Sequence, residues 1–267
     1  VSALKHLANA LPSPIRKIAV NSYRQWRGIP EDLFLKMACD PSKTSIDIGA
    51  NAGHLTRLMA AHSKRCIAFE PVPDVVDRLR ADFSSVKNVE IYDCALSDSE
   101  GEVTLRIPIE KIGFKPQNAS IETSDLTVSK YRNKEVIVPK KKLDQFDFGP
   151  VAVIKTDVEG HEEAVLRGAM QTIERYRPVV TAELDEIRHK PGCIGNVVDL
   201  FKGLSYKTFF IDGRRIVPFD RFDIGVHQNK NSLDENDVRI AGKTYVDMFL
   251  FVSEEAPLAQ RISGLSL

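Results

Sequence analysis

Four short runs hold most of the residues that could do chemistry. Ser45-Ile-Asp47-Ile-Gly49-Ala-Asn51-Ala-Gly53 lies where an apolar strand passes into a helical pattern. Glycines there let backbone approach a ligand with no Cβ in the way, and the following helix start offers unpaired N–H groups. No Gly-Lys-Ser/Thr follows, so this is not a phosphate-binding P-loop. The GxGxxG spacing of a pyrophosphate site is also missing. Asp47, two residues before the first glycine, would repel a pyrophosphate but could hold a cationic amino-acid end. Glu70 ends the next apolar run, about 20 residues on, where an acid accepts hydrogen bonds from ribose hydroxyls. Pro71 and Pro73 fix the turn after it. Asp93-Cys94-Ala95 ends a third run, placed to border an adenine ring. Lys155-Thr-Asp157-Val-Glu159-Gly160-His161 ends a fourth, and Glu183 ends a fifth. Asp157, Glu159 and Glu183 bring three carboxylates to neighbouring strand ends, which suits general-base work or a metal. The plainer alternatives are a tight strand–helix turn for the glycines, a solvated strand-end acid for Glu70 and a helix-start acid for Glu159. His54 and His161 read first as structural, although an imidazole titrates near neutrality.

The elements that must position these runs alternate. Residues 45–50, 66–69 and 89–96 read as buried strands separated by helical patterns. Strands follow at 151–154, 179–184, 206–211 and 245–252, with helices at 161–175 and 194–203. Such alternation predicts parallel βαβ units with right-handed crossovers and a doubly wound sheet of about seven strands. Ligands of such sheets bind outside the carboxyl ends of the strands. Residues 102–109 alternate as an exposed strand and pair with 136–138 as an inserted β-hairpin. The polar loop between them, around 118–120, could close over the site. Residues 1–43 read as an N-terminal helical extension with Leu4, Leu7, Leu11, Ile15 and Ile18 at helical spacing. It caps one sheet edge or, as the alternative, makes a homodimer contact. Residues 44–267 form the main domain. The polar stretch 212–243 is either an acceptor-side loop or a surface excursion.

Composition narrows the function classes. The chain has 267 residues, 37 basic and 37 acidic, so its formal net charge is zero. A dedicated nucleic-acid binder shows a basic excess, and no nucleic-acid partner is expected. The cluster from Lys130 to Lys142 reads as a solvated face, with attraction of an anionic ligand as the alternative. Cys39, Cys66, Cys94 and Cys193 form no CxxC and no zinc spacing, so no metal ligands are assigned. Reduced thiols point to the cytoplasm. No apolar run reaches the length of about 18 residues that a spanning helix needs, and the apolar N-terminal stretch is too broken for a secretory signal.

Taken in order, these residues resemble the FkbM family of S-adenosylmethionine-dependent methyltransferases. Asp47-Ile-Gly-Ala-Asn-Ala-Gly53, Phe69-Glu-Pro71, Ala95-Leu-Ser97, Leu143-Asp144 and Lys155-Thr-Asp-Val-Glu-Gly160 carry the resemblance. Glu162, Val165-Leu-Arg-Gly168, Arg177-Pro178 and Glu183 complete it, over roughly residues 43–190. The first run and Glu70 are shared by many class I methyltransferases; the Asp-Val-Glu-Gly run with Arg-Pro and a strand-end Glu is more specific. The resemblance implies a Rossmann-like class I α/β fold, S-adenosylmethionine as cofactor, and methyl transfer to a hydroxyl of a sugar, glycolipid or natural product. A divalent metal is left open. On that reading Asp47, Gly49, Asn51 and Gly53 cradle the methionine end, Glu70 and Pro71 hold the ribose turn, and Asp93, Cys94 and Ala95 border the adenine. Asp157, Glu159 and Glu183 serve the acceptor. The alternatives are an RNA methyltransferase on the same fold and a non-catalytic nucleotide-binding module. No Asp/Asn-Pro-Pro-Tyr/Phe run or Pro-Cys pair supports methylation of nitrogen or carbon.

Overall fold

A computed structural model describes residues 30–110, 113–114, 119–122, 132–234, 239–262, 265 and 267. The helical pattern expected over 1–29 lies outside them, as do Asn118 and Lys130. The first described element is α1 (Pro30–Ala38), which buries Phe34 and Leu35. Then come β1 (Thr44–Ile48), α2 (His54–His62), β2 (Arg65–Phe69), α3 (Pro73–Asp82) and β3 (Val89–Tyr92). A second group holds β4 (Ala95–Leu96), β5 (Gly101–Glu110), β6 (Gly113–Phe114) and β7 (Arg132–Lys141). The α/β alternation resumes with β8 (Val151–Thr156), α4 (Glu162–Arg167), α5 (Met170–Tyr176), β9 (Val179–Glu183) and α6 (Cys193–Lys202). The last elements are β10 (Tyr206–Asp212), β11 (Arg215–Pro218), α7 (Ile224–His227), β12 (Met248–Ser253) and α8 (Pro257–Arg261).

The main sheet runs β3-β2-β1-β8-β9-β12-β10-β11. It begins as a doubly wound sheet does, with the strand order turning back at β1 and a crevice where β1 and β8 diverge. β3, β2, β1, β8 and β9 pair in parallel, and β12 enters antiparallel between β9 and β10. The sheet has eight strands, where about seven are expected from the sequence. The added one, β11, pairs antiparallel with β10 through the turn at Gly213, in a stretch whose charged residues hide a strand. Only Ile216 of β11 is buried, so its apolar signal is one residue long.

The inserted hairpin β5–β7 is present and belongs to a four-stranded sheet ordered β4-β7-β5-β6. The single strand expected over 89–96 is two: β3 stays in the main sheet, while β4 pairs with β7. Asp93 and Cys94 are the crossing point between the sheets. The helix expected over 161–175 is likewise two. It breaks at Gly168, where a Cβ would lie 1.9 Å from the Ser97 carbonyl oxygen.

Each face of the main sheet has its own core. Ile46, Ile48, Ile67, Phe69 and Ile154 pack with residues of α4, α5 and α6. Cys66, Ala152 and Val153 pack with α1, α2 and α8 on the other face. Strand alternation therefore sends Asp47 and Lys155 toward the α1–α2 face.

Candidate active site

A crevice opens at the carboxyl ends of β1, β2 and β8. Its walls include Gly49, Asn51, Glu70, Pro71, Cys94, Ala95, Asp157, Glu159 and His161, with Phe69, Val72, Leu96 and Ile121 as apolar surface. Six of the nine expected cofactor residues thus meet in one place. Asp47, Gly53 and Asp93 are not among its walls.

The Glu70 half of the crevice is held by main chain. Gly49 adopts φ +76°, and a Cβ on it would sit 1.9 Å from the Asp157 carbonyl oxygen. Only glycine permits the β1 exit and the β8 exit to lie this close. Asn51 is left-handed at φ 46°, which Asn tolerates better than most residues. Its N–H donates to Glu70 Oε2 at 2.8 Å, and the Val72 N–H donates to Oε1 at 2.9 Å. Glu70 is 5% exposed, and burial pushes its carboxyl above the usual range. Each oxygen keeps a second lone pair for a hydroxyl donor. A carboxylate fixed by two amides beside apolar walls fits the ribose and ring of a nucleoside.

The absentees have structural work. Asp47 is fully buried; it accepts from Thr56 Oγ1 at 2.6 Å and lies 3.3 Å from Lys155 Nζ. The β1–β8 register sets Asp47 and Lys155 side by side. Gly53 caps α2, and a Cβ there would meet Phe83 at 2.5 Å. Asp93 turns outward and pairs with Arg80 at 3.1 Å.

The Asp157 half of the crevice is held by side chains. Asp157 is about one-third exposed, with Oδ2 3.6 Å from Lys155 Nζ. Glu159 is left-handed at φ 54°, and Gly160 follows at φ 96°. Glu162 secures this turn by accepting from the Val158 and Gly160 N–H groups at 2.9 and 3.2 Å. Burial raises the Glu159 carboxyl above its usual range, and His189, 3.4 Å away, only limits the rise. Glu183 lies outside the crevice walls, 2.8 Å from Arg188, which also pairs with Asp185 at 2.5 Å and Asp247 at 3.1 Å. Burial, with Asp157 and Asp247 adding to it, drives the Glu183 carboxyl well above its ordinary value. His161 bridges Ser97 Oγ at 2.9 Å and Glu122 at 2.5 Å, so both ring nitrogens are engaged. Ser120 donates to the Glu159 carbonyl at 2.7 Å and brings the 119–122 segment against the crevice. His54 ties α2 to α1 through Asp32 at 2.9 Å.

Sequence reasoning gave no role to Lys155, Glu122, Arg188, His189, Tyr245 or Asp247. Lys155 could have been found by strand parity with Asp157. The others come from distant segments with no spacing in common. Among the described residues, no group of three or more His, Cys, Asp or Glu side chains could hold a metal ion.

The sequence signature of the Methyltransferase FkbM domain matches residues 47–207. The chain therefore belongs to the FkbM methyltransferase family. It is 23% identical over 171 residues to the 2-O-methyltransferase NoeI of Sinorhizobium fredii, covering 55% of this chain and 65% of that protein. Among solved structures, an FkbM methyltransferase from Methylobacillus flagellatus aligns with TM-score 0.47 and 13% identity, over 94% of this chain and 58% of that one. An rRNA methylase from Streptococcus thermophilus aligns with TM-score 0.45 and 10% identity, over 84% and 93%. The chain thus spans less than two thirds of the length of NoeI and of the Methylobacillus protein. No described helix is long and apolar enough to cross a membrane.

Proposed function

We propose that the protein is an S-adenosylmethionine-dependent O-methyltransferase acting on a hydroxyl of a sugar, glycolipid or natural product. The observation that carries this reading is one crevice that joins an amide-fixed Glu70 to the strand-end carboxylates Asp157 and Glu159. Family membership and the likeness to a protein named as a 2-O-methyltransferase support it. S-adenosylmethionine supplies a methyl group already activated on a sulfonium. The chain has then to align the acceptor oxygen and receive its proton. Glu70 takes the ribose hydroxyls, and Ala95, Leu96 and Ile121 flank the ring. Asp157 takes the acceptor proton, with Lys155 beside it to steady the carboxylate. Glu159 orients the acceptor. Glu183, tied to Arg188, supports the rim.

Asp157→Asn keeps the shape and removes the base. Transfer of labelled methyl to a panel of sugar and lipid hydroxyls is expected to fall roughly 10²- to 10⁴-fold, with S-adenosylhomocysteine affinity changed only slightly. An unchanged rate removes Asp157 from the reaction. Cofactor binding with no transfer to any acceptor would favour the non-catalytic module.

A further inference from the structure

We propose that Glu31, on α1 and outside the family match, binds the α-ammonium of the cofactor's methionine end. This rests on the cofactor reading above. An acid in the first turn of a helix is ordinarily explained by the helix dipole and stays in solvent. That explanation goes furthest for Asp32, whose Oδ2 meets His54 at 2.9 Å, although its Oδ1 is also buried without a partner. It does not serve Glu31, whose Oε1 is buried with no hydrogen-bond partner. Buried carboxylates are normally paired.

The surroundings identify the missing partner. α1 packs against α2 and β8, on the sheet face to which Asp47 and Lys155 point. Among the described residues, Lys155 is the cation that acts on Glu31, and its hydrogen bonds go to the Gly49 and Ile48 carbonyls at 3.0 and 3.4 Å. Its charge is already shared by Asp47 and Asp157. Asp47 and Asp157 lie 3.3 and 3.6 Å from that ammonium, whereas Glu31 Oε1 has neither a donor nor a cation in contact among the described residues. A ligand with its ribose at Glu70 and its reacting sulfur near Asp157 has one end still to place, beside Gly49. The positive group on that end is a primary ammonium with three donors.

Without ligand, burial pushes the Glu31 carboxyl up to about 8. Lys155 of β8 opposes the rise, while Asp157, Asp32 of α1 and Asp47 of β1 add to it. Glu31 thus holds a proton at neutral pH. It releases that proton to solvent when the ammonium arrives.

Two neutral-sulfur probes isolate the contact. S-adenosylhomocysteine carries the amino-acid end; 5′-methylthioadenosine carries the same nucleoside and thioether without it. In Glu31→Gln, calorimetric affinity for S-adenosylhomocysteine is expected to fall roughly 10- to 100-fold, while 5′-methylthioadenosine stays within about two-fold. Proton release on binding, measured in buffers of different ionisation heat near pH 7, should also disappear. Asp32→Asn, on the same turn, should show no selective loss. Equal weakening of both probes in Glu31→Gln would mean a packing role and would overturn the proposal, as would no weakening. If the wild-type protein binds neither probe, the cofactor reading itself fails, a result separate from the other two.

Discussion

The two halves of the crevice are built differently. On the Glu70 side, main chain does the positioning: a left-handed glycine, a left-handed asparagine and two amides that fix Glu70. On the Asp157 side, side chains do it. Arg188 gathers Glu183, Asp185 and Asp247, Glu162 secures the Asp157–Gly160 turn, and His161 bridges Ser97 to Glu122. A site built from backbone tolerates little change and suits a ligand that never varies. A site built from side chains on several segments can be re-cut for a new acceptor while the sheet stays the same.

The Asp157 half is where the largest stability effect is expected. Arg188→Met leaves three carboxylates without their shared cation and should destabilise the fold by about 3–5 kcal/mol, read by urea unfolding. The effect has a pH signature. Burial already raises the Glu183 and Asp247 carboxyls. Against its own burial, Asp185 is held low by Arg188 and by its Tyr245 and backbone hydrogen bonds. In the wild type the Asp185 contribution is present above its unfolded pKa and lost as pH falls through the lower folded value. In the variant the freed carboxylates are costly to ionise and take up protons more readily. The gap between the two proteins should therefore be widest at neutral pH and narrow on acidification. A gap that widens in acid would show that Arg188 is not the counter-ion of this cluster.

Gly49→Ala tests the Glu70 half. Its Cβ would overlap the Asp157 carbonyl, so either β1 or β8 must shift, at about 3 kcal/mol. Because the clash falls on Asp157, the same variant should impair both cofactor binding and transfer. A fully stable, fully active Gly49→Ala protein would break the claim that backbone contact joins the halves.

These effects also mark what was legible in the sequence. Gly49, Asn51 and Glu70 announce themselves because a ligand-facing turn restricts residue type at fixed spacing. The βαβ order follows from apolar runs, and Phe69 and Ile154 sit in the core as that order requires. The Arg188 cluster was not legible, since Glu183 and Asp247 meet only because β12 inserts beside β9. β11 was missed for a related reason: an edge strand buries too little to leave a pattern. The outward turn of Asp93 was hidden by the change of sheet between β3 and β4.

A smaller effect sharpens the comparison further. His161→Ala removes the link between Ser97 and Glu122 and should cost about 1 kcal/mol in stability. It should loosen the 119–122 segment, seen as faster amide exchange there, and leave the rate of exchange in β1 and β2 unchanged. Faster exchange throughout would mean that the halves do not act separately.

The most direct test of the central claim is calorimetric titration of S-adenosylhomocysteine into the wild-type protein and into Glu70→Ala, with NAD as the contrasting ligand. The account predicts wild-type binding of the adenosyl ligand, none of NAD, and affinity reduced roughly 100-fold or more in the variant, which loses the ribose acceptor and leaves two amides unpaired. Folded wild-type protein that binds no adenosyl ligand, or a Glu70→Ala protein that binds it undiminished, would contradict it.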